Sequence, residues 1–190
     1  MWKFIAYSLS TLSKLETKLS EYEDSGLRAD RVVFKYFFRF SANEEEKAKG
    51  YFVNYDSSYG KKDNFSEKIH EWIRGTGCAF SKQRYASPLD IGMYDVYRFT
   101  DPFDQMDSLG KARDTHLINE YLWASVGAVI LCGFIPVALT MTRALWKKLT
   151  WEIYLCAGAF VIGLGLLVYY QIQVHRIKKR LNPNQKKDRG

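Results

Sequence analysis

Residues 121–141 read YLWASVGAVILCGFIPVALTM, a run of 21 residues without an ionisable side chain. A helix rises about 1.5 Å per residue, so a run of this length covers the roughly 30 Å hydrocarbon core of a bilayer. A second uncharged run of 20 residues, IYLCAGAFVIGLGLLVYYQI, follows at 153–172. The two runs predict membrane-spanning helices, and their short connection predicts an antiparallel hairpin over residues 116–175.

Aromatic and basic side chains flank both runs, and such side chains favour the headgroup level of a membrane. The basic tail, residues 176–190, is expected to contact anionic headgroups, where each charge contributes on the order of 1 kcal/mol. The predicted membrane-interface residues are Trp123, Trp146, Trp151, Tyr169, Tyr170, Arg176, Lys178, Lys179 and Arg180.

The net charge of +7 comes from the neighbourhood of the predicted spans. Residues 1–115 carry 18 basic and 18 acidic side chains, whereas the remaining residues carry 10 basic and 3 acidic ones. Three basic residues lie between the spans, and nine lie shortly before the first span or after the second. Because basic flanks stay on the cytoplasmic side, both termini are predicted to be cytoplasmic, with the hairpin in the inner (plasma) membrane. The excess charge indicates orientation and lipid contact, and a nucleic-acid partner is not expected.

Small residues recur at a spacing of four in both runs, as Ala124 with Ala128 and as Ala159 with Gly163. Such pairs let two helices approach closely. The contact is expected either within the hairpin or between copies of the protein. Neither run contains an ionisable residue, which argues against a proton relay, an ion-coupled carrier or a voltage sensor.

Residues 1–115 are predicted to form a cytoplasmic α+β domain, with a mainly antiparallel sheet and flanking helices. Apolar residues from Ile5 to Tyr22 recur at spacings of three and four, which predicts an amphipathic helix that ends before Gly26. We expect its apolar stripe to pack on the domain. In a second interpretation, Trp2, Phe4 and Ile5 lie on the membrane surface, or the stripe pairs with a second copy.

Alternating and aromatic-rich stretches predict the strands of this domain. RVVFKYFFRF at 31–40 predicts one strand, and YFVNY at 51–55 predicts its antiparallel partner. Two further strands are expected at 78–85 and 92–99.

Two helix starts are predicted in the same region. Asn64 resembles a helix cap, and the helix that follows it is expected to run to Arg74 and to stop at Gly75. Thr100, Asp101 and Pro102 form a second start signal, for a helix that continues into the first span. The side chains expected to be buried by the first of these helices are Phe65, Ile69, Trp72 and Ile73.

No strong catalytic or metal-binding motif is present in the sequence. Cys78 and His70 are the only pair that resembles a thiol nucleophile with a base, and a structural cysteine is the simpler interpretation. The acids at 101, 104 and 107 would share one side of a helical turn, but exposed N–H groups favour acids at a helix start in any case. The acidic triplet at 44–46 is expected to be a solvated turn. We therefore expect no cofactor, no bound metal and no enzymatic activity.

Aromatic and basic residues interleave in the predicted strand at 51–55 and in the residues that follow it. Packing of the rings in the sheet is the ordinary explanation, and a ligand or partner surface is the alternative. The residues of this possible surface are Tyr51, Tyr55, Tyr59, Lys61 and Lys62.

The RVVFKYFFRF stretch, the helix that ends at Gly75 and FSKQRYASPLD at 80–90 together resemble an uncharacterised bacterial family. Its members are small β-rich domains carried on membrane helices. The resemblance covers about residues 31–95 and implies an architecture, but it implies no activity.

These features predict an integral inner-membrane protein, anchored by a two-span hairpin, whose cytoplasmic domain binds a partner or a small ligand. An alternative is a membrane-perturbing or pore-forming effector of a bacterial defence or toxin system, triggered through the soluble domain. A homo-oligomer or a protein partner is expected in either case. A cysteine-dependent enzyme is the least favoured interpretation.

Overall fold

The computed structural model describes residues 1–33, 36–43, 46–56, 65–86, 93–134, 138 and 151–182, with side chains undescribed at 151–153 and 155. Contacts divide the chain into two compact units, Met1–Arg113 and Asp114–Gly190. The first unit contains two three-stranded antiparallel sheets with helices. Two long apolar helices that could span a membrane follow. The predicted fold class is confirmed.

The first unit has the following elements in chain order: β1 (Trp2–Phe4), a 3-10 turn (Leu9–Thr11), α1 (Leu12–Asp24), β2 (Leu27–Val33), β3 (Phe37–Ala42), β4 (Gly50–Asp56), α2 (Phe65–Gly75), β5 (Phe80–Ala86), β6 (Met93–Phe99) and the start of α3 (Met106–Val129). Sheet A has the strand order β1-β3-β2, and sheet B has the order β4-β6-β5. All pairings are antiparallel.

Helix α1 lies between the two sheets of the first unit. It contacts β2 of sheet A and β4 of sheet B, and it buries Leu12, Leu15 and Leu19 almost completely. The spacing of these leucines, three and four residues, places them on one helical face. Phe38 and Phe40 of β3 are also buried, and the ring of Phe40 lies 4.5 Å from the ring of Tyr22 on α1.

Helix α2 packs on the opposite face of sheet B. The side chains of β4 alternate between the faces, so one set of residues meets α1 and the other meets α2. The cluster on the α2 side also includes the first turns of α3. It consists of Phe52, Ile69, Ile73, Tyr97, Phe99 and Leu109. Sheet B is therefore buried on both faces, while sheet A is covered on one.

The predicted N-terminal helix is wrong over its first turns. Residues 2–4 form β1, and α1 begins only at Leu12. The backbone N–H of Ser8 donates to the Thr11 hydroxyl at 2.8 Å, so local hydrogen bonds of Ser and Thr hold a turn here in place of a helix. The end of the helix agrees with the prediction, because Gly26 follows with a φ of 80° that favours glycine.

The predicted single strand at 31–40 is wrong, because it is a hairpin of β2 and β3. Val33 pairs with Phe37, so the chain reverses between them. Val33 and Phe37 are an even number of positions apart, so the side chains that alternate between the two faces stay in phase from β2 to β3. A period of two therefore looks the same with or without a turn. The strand predicted at 51–55 is present as β4, but its predicted pairing is wrong, because β4 pairs with β6 of sheet B.

Other predicted elements of the first unit agree in position with α2, β5 and β6. Trp72 differs from the prediction, because it is exposed and its Nε1 donates to Oε1 of Gln105 at 2.7 Å. The helix predicted to start at 100–102 begins at Met106 instead. Asp101 instead binds the residue that precedes β5, since its carboxylate accepts the backbone N–H of Ala79 at 3.1 Å. The cap predicted at Asn64 lies outside the described residues.

The second unit contains the apolar part of α3, which continues as a π-helical turn (Ile130–Phe134), and α4 (Trp151–Leu181). Asp114 pairs with Arg180, and the ring of Tyr121 lies 5.9 Å from that of Tyr170. Further along, Cys132 lies against Gly163. The order of these contacts along the two helices shows that α3 and α4 are antiparallel. The predicted connection between the spans lies outside the described residues.

Candidate functional site

Sheet B carries a row of polar side chains near one end. Asn54 of β4 lies opposite Asp95 of β6, which lies opposite Arg84 of β5. Residues that lie opposite each other in an antiparallel sheet share a face, so the three side chains project on the same side, the side of α2. We call this row and its neighbours the Asp95 cluster, which comprises Asn54, Ser66, Lys82, Arg84 and Asp95.

Asp95 is buried and accepts most of the hydrogen bonds of the cluster. Arg84 Nε donates to Oδ1 at 2.7 Å, and Arg84 Nη2 donates to Oδ2 at 2.9 Å. Lys82 Nζ lies 3.1 Å from Oδ2, and the Ser66 hydroxyl donates to the same oxygen. Burial opposes the ionisation of Asp95, but the hydrogen bonds from Arg84, Ser66 and Lys82 outweigh it and lower the pKa of Asp95. Asp95 is therefore a carboxylate at neutral pH.

Asn54 differs from its neighbour in its hydrogen bonding. Its side chain is 0% exposed, and neither Oδ1 nor Nδ2 makes a hydrogen bond with any residue that the structure describes. A buried polar group without a partner costs about 1–3 kcal/mol, so natural cores rarely contain one. The amide thus offers a donor and an acceptor that the described part of the fold does not use.

His70 of α2 adds another buried polar atom on this face. Its ring packs against Phe80 at 5.6 Å and Tyr97 at 6.1 Å, and its Nδ1 has no hydrogen-bond partner within the described part of the chain. Burial, together with the charges of Lys82 and Arg74, lowers the pKa of His70. The imidazole is therefore neutral at neutral pH.

The Asp95 cluster combines two cations, one carboxylate and one unsatisfied amide. Lys82 and Arg84 are partly exposed and connect the buried groups with solvent along the edge strand β5. The Asn54 amide supplies a hydrogen-bond donor and an acceptor, the groups that pair with another amide or with the edge of a nucleobase. Sequence reasoning missed Asn54, although a lone polar residue in the aromatic strand YFVNY was a usable signal.

A second buried network lies on the other face of sheet B. Glu23 of α1 accepts hydrogen bonds from Arg98 Nη2 at 2.5 Å, the Tyr51 hydroxyl at 2.5 Å and Asn43 Nδ2 at 2.7 Å. Its Oε1 also accepts the backbone N–H of Ala48 at 3.0 Å. Burial opposes the ionisation of Glu23, but these donors outweigh it and lower the pKa of Glu23. We call these residues the Glu23 network. It joins α1, sheet B and the chain between β3 and β4.

The structure describes two of the five residues of the possible ligand surface predicted from the sequence, and both are buried. Tyr51 and Tyr55 are buried, at 6% and 9% exposure, and Tyr51 belongs to the Glu23 network. Both therefore pack inside the domain, which agrees with the ordinary explanation for sheet aromatics. The other predicted members, Tyr59, Lys61 and Lys62, lie outside the described residues.

The sequence pair of Cys78 and His70 has no activating arrangement among the described residues. The Cys78 thiol lies 3.8 Å from the backbone oxygen of Asp101, and the His70 ring packs between aromatic rings. Burial, with a contribution from Asp101, raises the pKa of Cys78 and disfavours the thiolate at neutral pH.

The three acids at 101, 104 and 107, which were predicted to share one side of a helical turn, do not all lie in a helix. Asp101 and Asp104 precede α3, and Asp107 lies in its first turn, so they do not share a helical face. Within the described residues, no group of three His, Cys, Asp or Glu side chains could hold a metal ion. Glu46 contributes its backbone oxygen to Arg98, whereas residues 44 and 45 lie outside the described part.

The helices of the second unit approach closely at the predicted small residues. A Cβ atom placed on Gly163 would lie 2.5 Å from the Cβ of Cys132 and 3.5 Å from the backbone oxygen of Ala128. Gly163 and Ala128 are both buried, whereas Ala124 and Ala159 are half-buried. The close approach at Gly163 is therefore between α3 and α4 of one chain.

Several predicted membrane-interface residues are exposed at the helix surfaces. Trp123 is 76% exposed, and Tyr169 is also exposed. The basic residues at 176, 178 and 179 are exposed on the last turns of α4, and Arg180 lies 2.9 Å from Asp114. Tyr170 is half-buried against Tyr121. The side chains of Trp146 and Trp151 lie outside the described residues.

Comparison with protein-family models, with curated proteins and with solved structures finds no match to the chain. The resemblance drawn from the sequence therefore depends on the quoted residues alone.

Proposed function

We propose that this chain is a two-span integral membrane protein whose N-terminal domain binds a small polar ligand at the Asp95 cluster. The observation that carries the proposal is the buried amide of Asn54, which lies beside a charge-compensated carboxylate and has no hydrogen-bond partner among the described residues. Unsatisfied buried groups cost stability and concentrate at sites where a ligand completes the hydrogen bonds. A partner protein that inserts a polar side chain would use the same chemistry.

Exposed apolar side chains support the membrane part of the proposal. Leu131, Phe134, Val161 and Ile162 are each more than half exposed on the apolar helices. In water such a surface would aggregate, whereas acyl chains cover it without cost. The distribution of basic residues supports an orientation with both termini in the cytoplasm and the hairpin in the inner membrane.

Ligand binding is tested by thermal unfolding of the full chain in detergent with a panel of nucleosides, nucleotides and dipeptide amides. A ligand that binds only the folded state raises the melting temperature as its concentration exceeds Kd. We expect a rise for wild type and none for Asn54→Leu, which keeps the volume and removes the amide. Equal shifts in the two proteins would place the ligand elsewhere, and no shift with the whole panel would count against this class of ligand.

Topology is tested with reporter fusions after Gly190. We expect a reporter that works only in the cytoplasm to be active and one that needs the periplasm to be inactive. The reverse result would contradict the proposed orientation.

The effector alternative is tested by overexpression with a dye for membrane potential. Healthy cells with an intact potential are expected for an anchored binding protein. A loss of potential that Gly163→Leu abolishes would favour the effector.

A further inference from the structure

The outer face of sheet A carries a continuous set of exposed aromatic side chains. Trp2, Phe4 and Phe37 are 50%, 61% and 44% exposed, although the opposite face of the same strands is buried. Phe4 lies opposite Phe37 in the register, and Val33 lies opposite Phe37 on its other side. A contiguous apolar surface of this kind marks an interaction site in a folded protein.

Basic side chains border these rings. Trp2 lies opposite Arg39, which lies opposite Arg31, so the second row of the face has an aromatic ring and two cations. Asp30 pairs with Arg39 at 2.8 Å, so Arg31 supplies the net positive charge of this row. The face is therefore apolar in one row and carries a net positive charge in the next. We call it the sheet A outer face.

This charge selects an anionic partner. In a two-fold dimer the face would meet itself, so the arginines of one copy would approach those of the other and repel them. A nucleic acid is an anion, but bases stack on accessible ring faces. Here Phe4 packs on Phe37 at 5.3 Å and on Tyr36 at 5.8 Å with the ring planes tilted by 58° and 52°, so these rings form no flat platform for stacking.

An anionic bilayer surface fits both rows. Tryptophan and phenylalanine lie favourably at the boundary between headgroups and acyl chains, and arginine binds anionic headgroups. A bilayer is within reach, because the same chain carries two candidate spans and tethering raises the effective concentration of the second contact. We propose that the sheet A outer face docks on anionic lipid headgroups. This proposal depends on the membrane insertion proposed above.

The test uses the full chain in lipid nanodiscs that contain acyl chains brominated near the headgroup, which quench tryptophan at close range. Three variants each keep one tryptophan and carry phenylalanine at the other four positions. Trp2 reports docking, Trp123 reports insertion of the apolar helix, and Trp72 is the control. Trp72 lies on α2, which packs on the face of sheet B that is turned away from α1 and sheet A.

We expect Trp2 to be quenched in discs of phosphatidylglycerol with phosphatidylcholine, and to recover in phosphatidylcholine alone or at high salt. Arg31→Gln is expected to lower the docking equilibrium constant about fivefold, which corresponds to the loss of one charge near an anionic surface. Lys68→Gln on α2 removes the same charge elsewhere and should have no effect. Trp72 should remain unquenched in every disc.

Other outcomes overturn the proposal in distinguishable ways. Quenching of Trp123 without quenching of Trp2 refutes docking and leaves the membrane insertion intact. An unquenched Trp123 refutes the insertion itself. Quenching of Trp2 that is independent of lipid charge and salt refutes an anionic surface. A shift of Trp2 emission on addition of single-stranded oligonucleotide, or with dimerisation in the disc, identifies a nucleic acid or a second copy as the occupant instead.

Discussion

Asn54 lies directly opposite Asp95 in the register of β4 and β6, and the two buried side chains have opposite hydrogen-bonding states. Asp95 is bound by an arginine, a lysine and a serine, whereas neither polar atom of the Asn54 amide has a partner in the ranges that the structure describes. One position of the sheet is therefore fully satisfied, and the neighbouring position on the same face is not.

This difference predicts that Asn54→Leu stabilises the protein. Leucine has a similar volume and removes a desolvated amide, so the free energy of unfolding should rise by about 1–3 kcal/mol. Urea unfolding of the full chain in detergent measures it. Asn43→Leu is the matched control and should be destabilising, because Asn43 Nδ2 donates to Glu23 at 2.7 Å. A loss of stability in Asn54→Leu would show that the amide is satisfied in solution.

Arg98→Met is predicted to destabilise the first unit strongly. Arg98 and Glu23 are both nearly fully buried, and the change leaves the Glu23 carboxylate without its cation. Removal of one member of a buried pair typically costs about 3–5 kcal/mol. The double variant Glu23→Gln/Arg98→Met should recover part of this loss, since no uncompensated charge remains. Unfolding free energies of the wild type, Glu23→Gln, Arg98→Met and the double variant measure the effect, and additive losses would contradict it.

The stability of the first unit is predicted to fall in acid. The pKa values of Asp95 and Glu23 are lowered in the folded state, so their stabilisation is complete above the unfolded-state values, about 4. It is lost as the pH falls through the lowered folded-state values. The double variant Glu23→Gln/Arg98→Met should show a shallower decline between neutral and acid pH. An unchanged decline in the double variant would contradict this prediction.

Gly163→Ala is predicted to weaken the packing of α3 against α4. The added methyl would lie 2.5 Å from the Cβ of Cys132, so the helices must separate, at a cost of about 1–3 kcal/mol. Gly165→Ala is the control, because nothing lies within 4 Å of a Cβ at that position. Thermal stability in detergent compares the two. Cys132→Gly in the Gly163→Ala background should restore part of the loss, and a harmless Gly163→Ala would exclude the close contact.

The spacing of residues within short stretches predicted those elements whose formation depends mainly on neighbours in the sequence. The leucine spacing of α1, the helix that ends at Gly75 and the last two strands of sheet B were all legible from the sequence. The hairpin at 31–40 was not, because its turn preserves the alternation of the aromatic residues. The start of α1 was misplaced because Ser8 and Thr11 hold a turn through hydrogen bonds that hydrophobic periodicity does not register.

The division of this protein into a charge-balanced α+β domain and two apolar helices follows from its sequence alone, because bilayer thickness and hydropathy act along contiguous residues. The assignment of strands to sheets is visible only in the fold, because strand pairing depends on contacts between distant residues. Pairing in turn places Asn54 beside Asp95, and leaves Trp2, Phe4 and Phe37 uncovered on the sheet A outer face. Both candidate surfaces are consequences of register, which alternation alone does not specify.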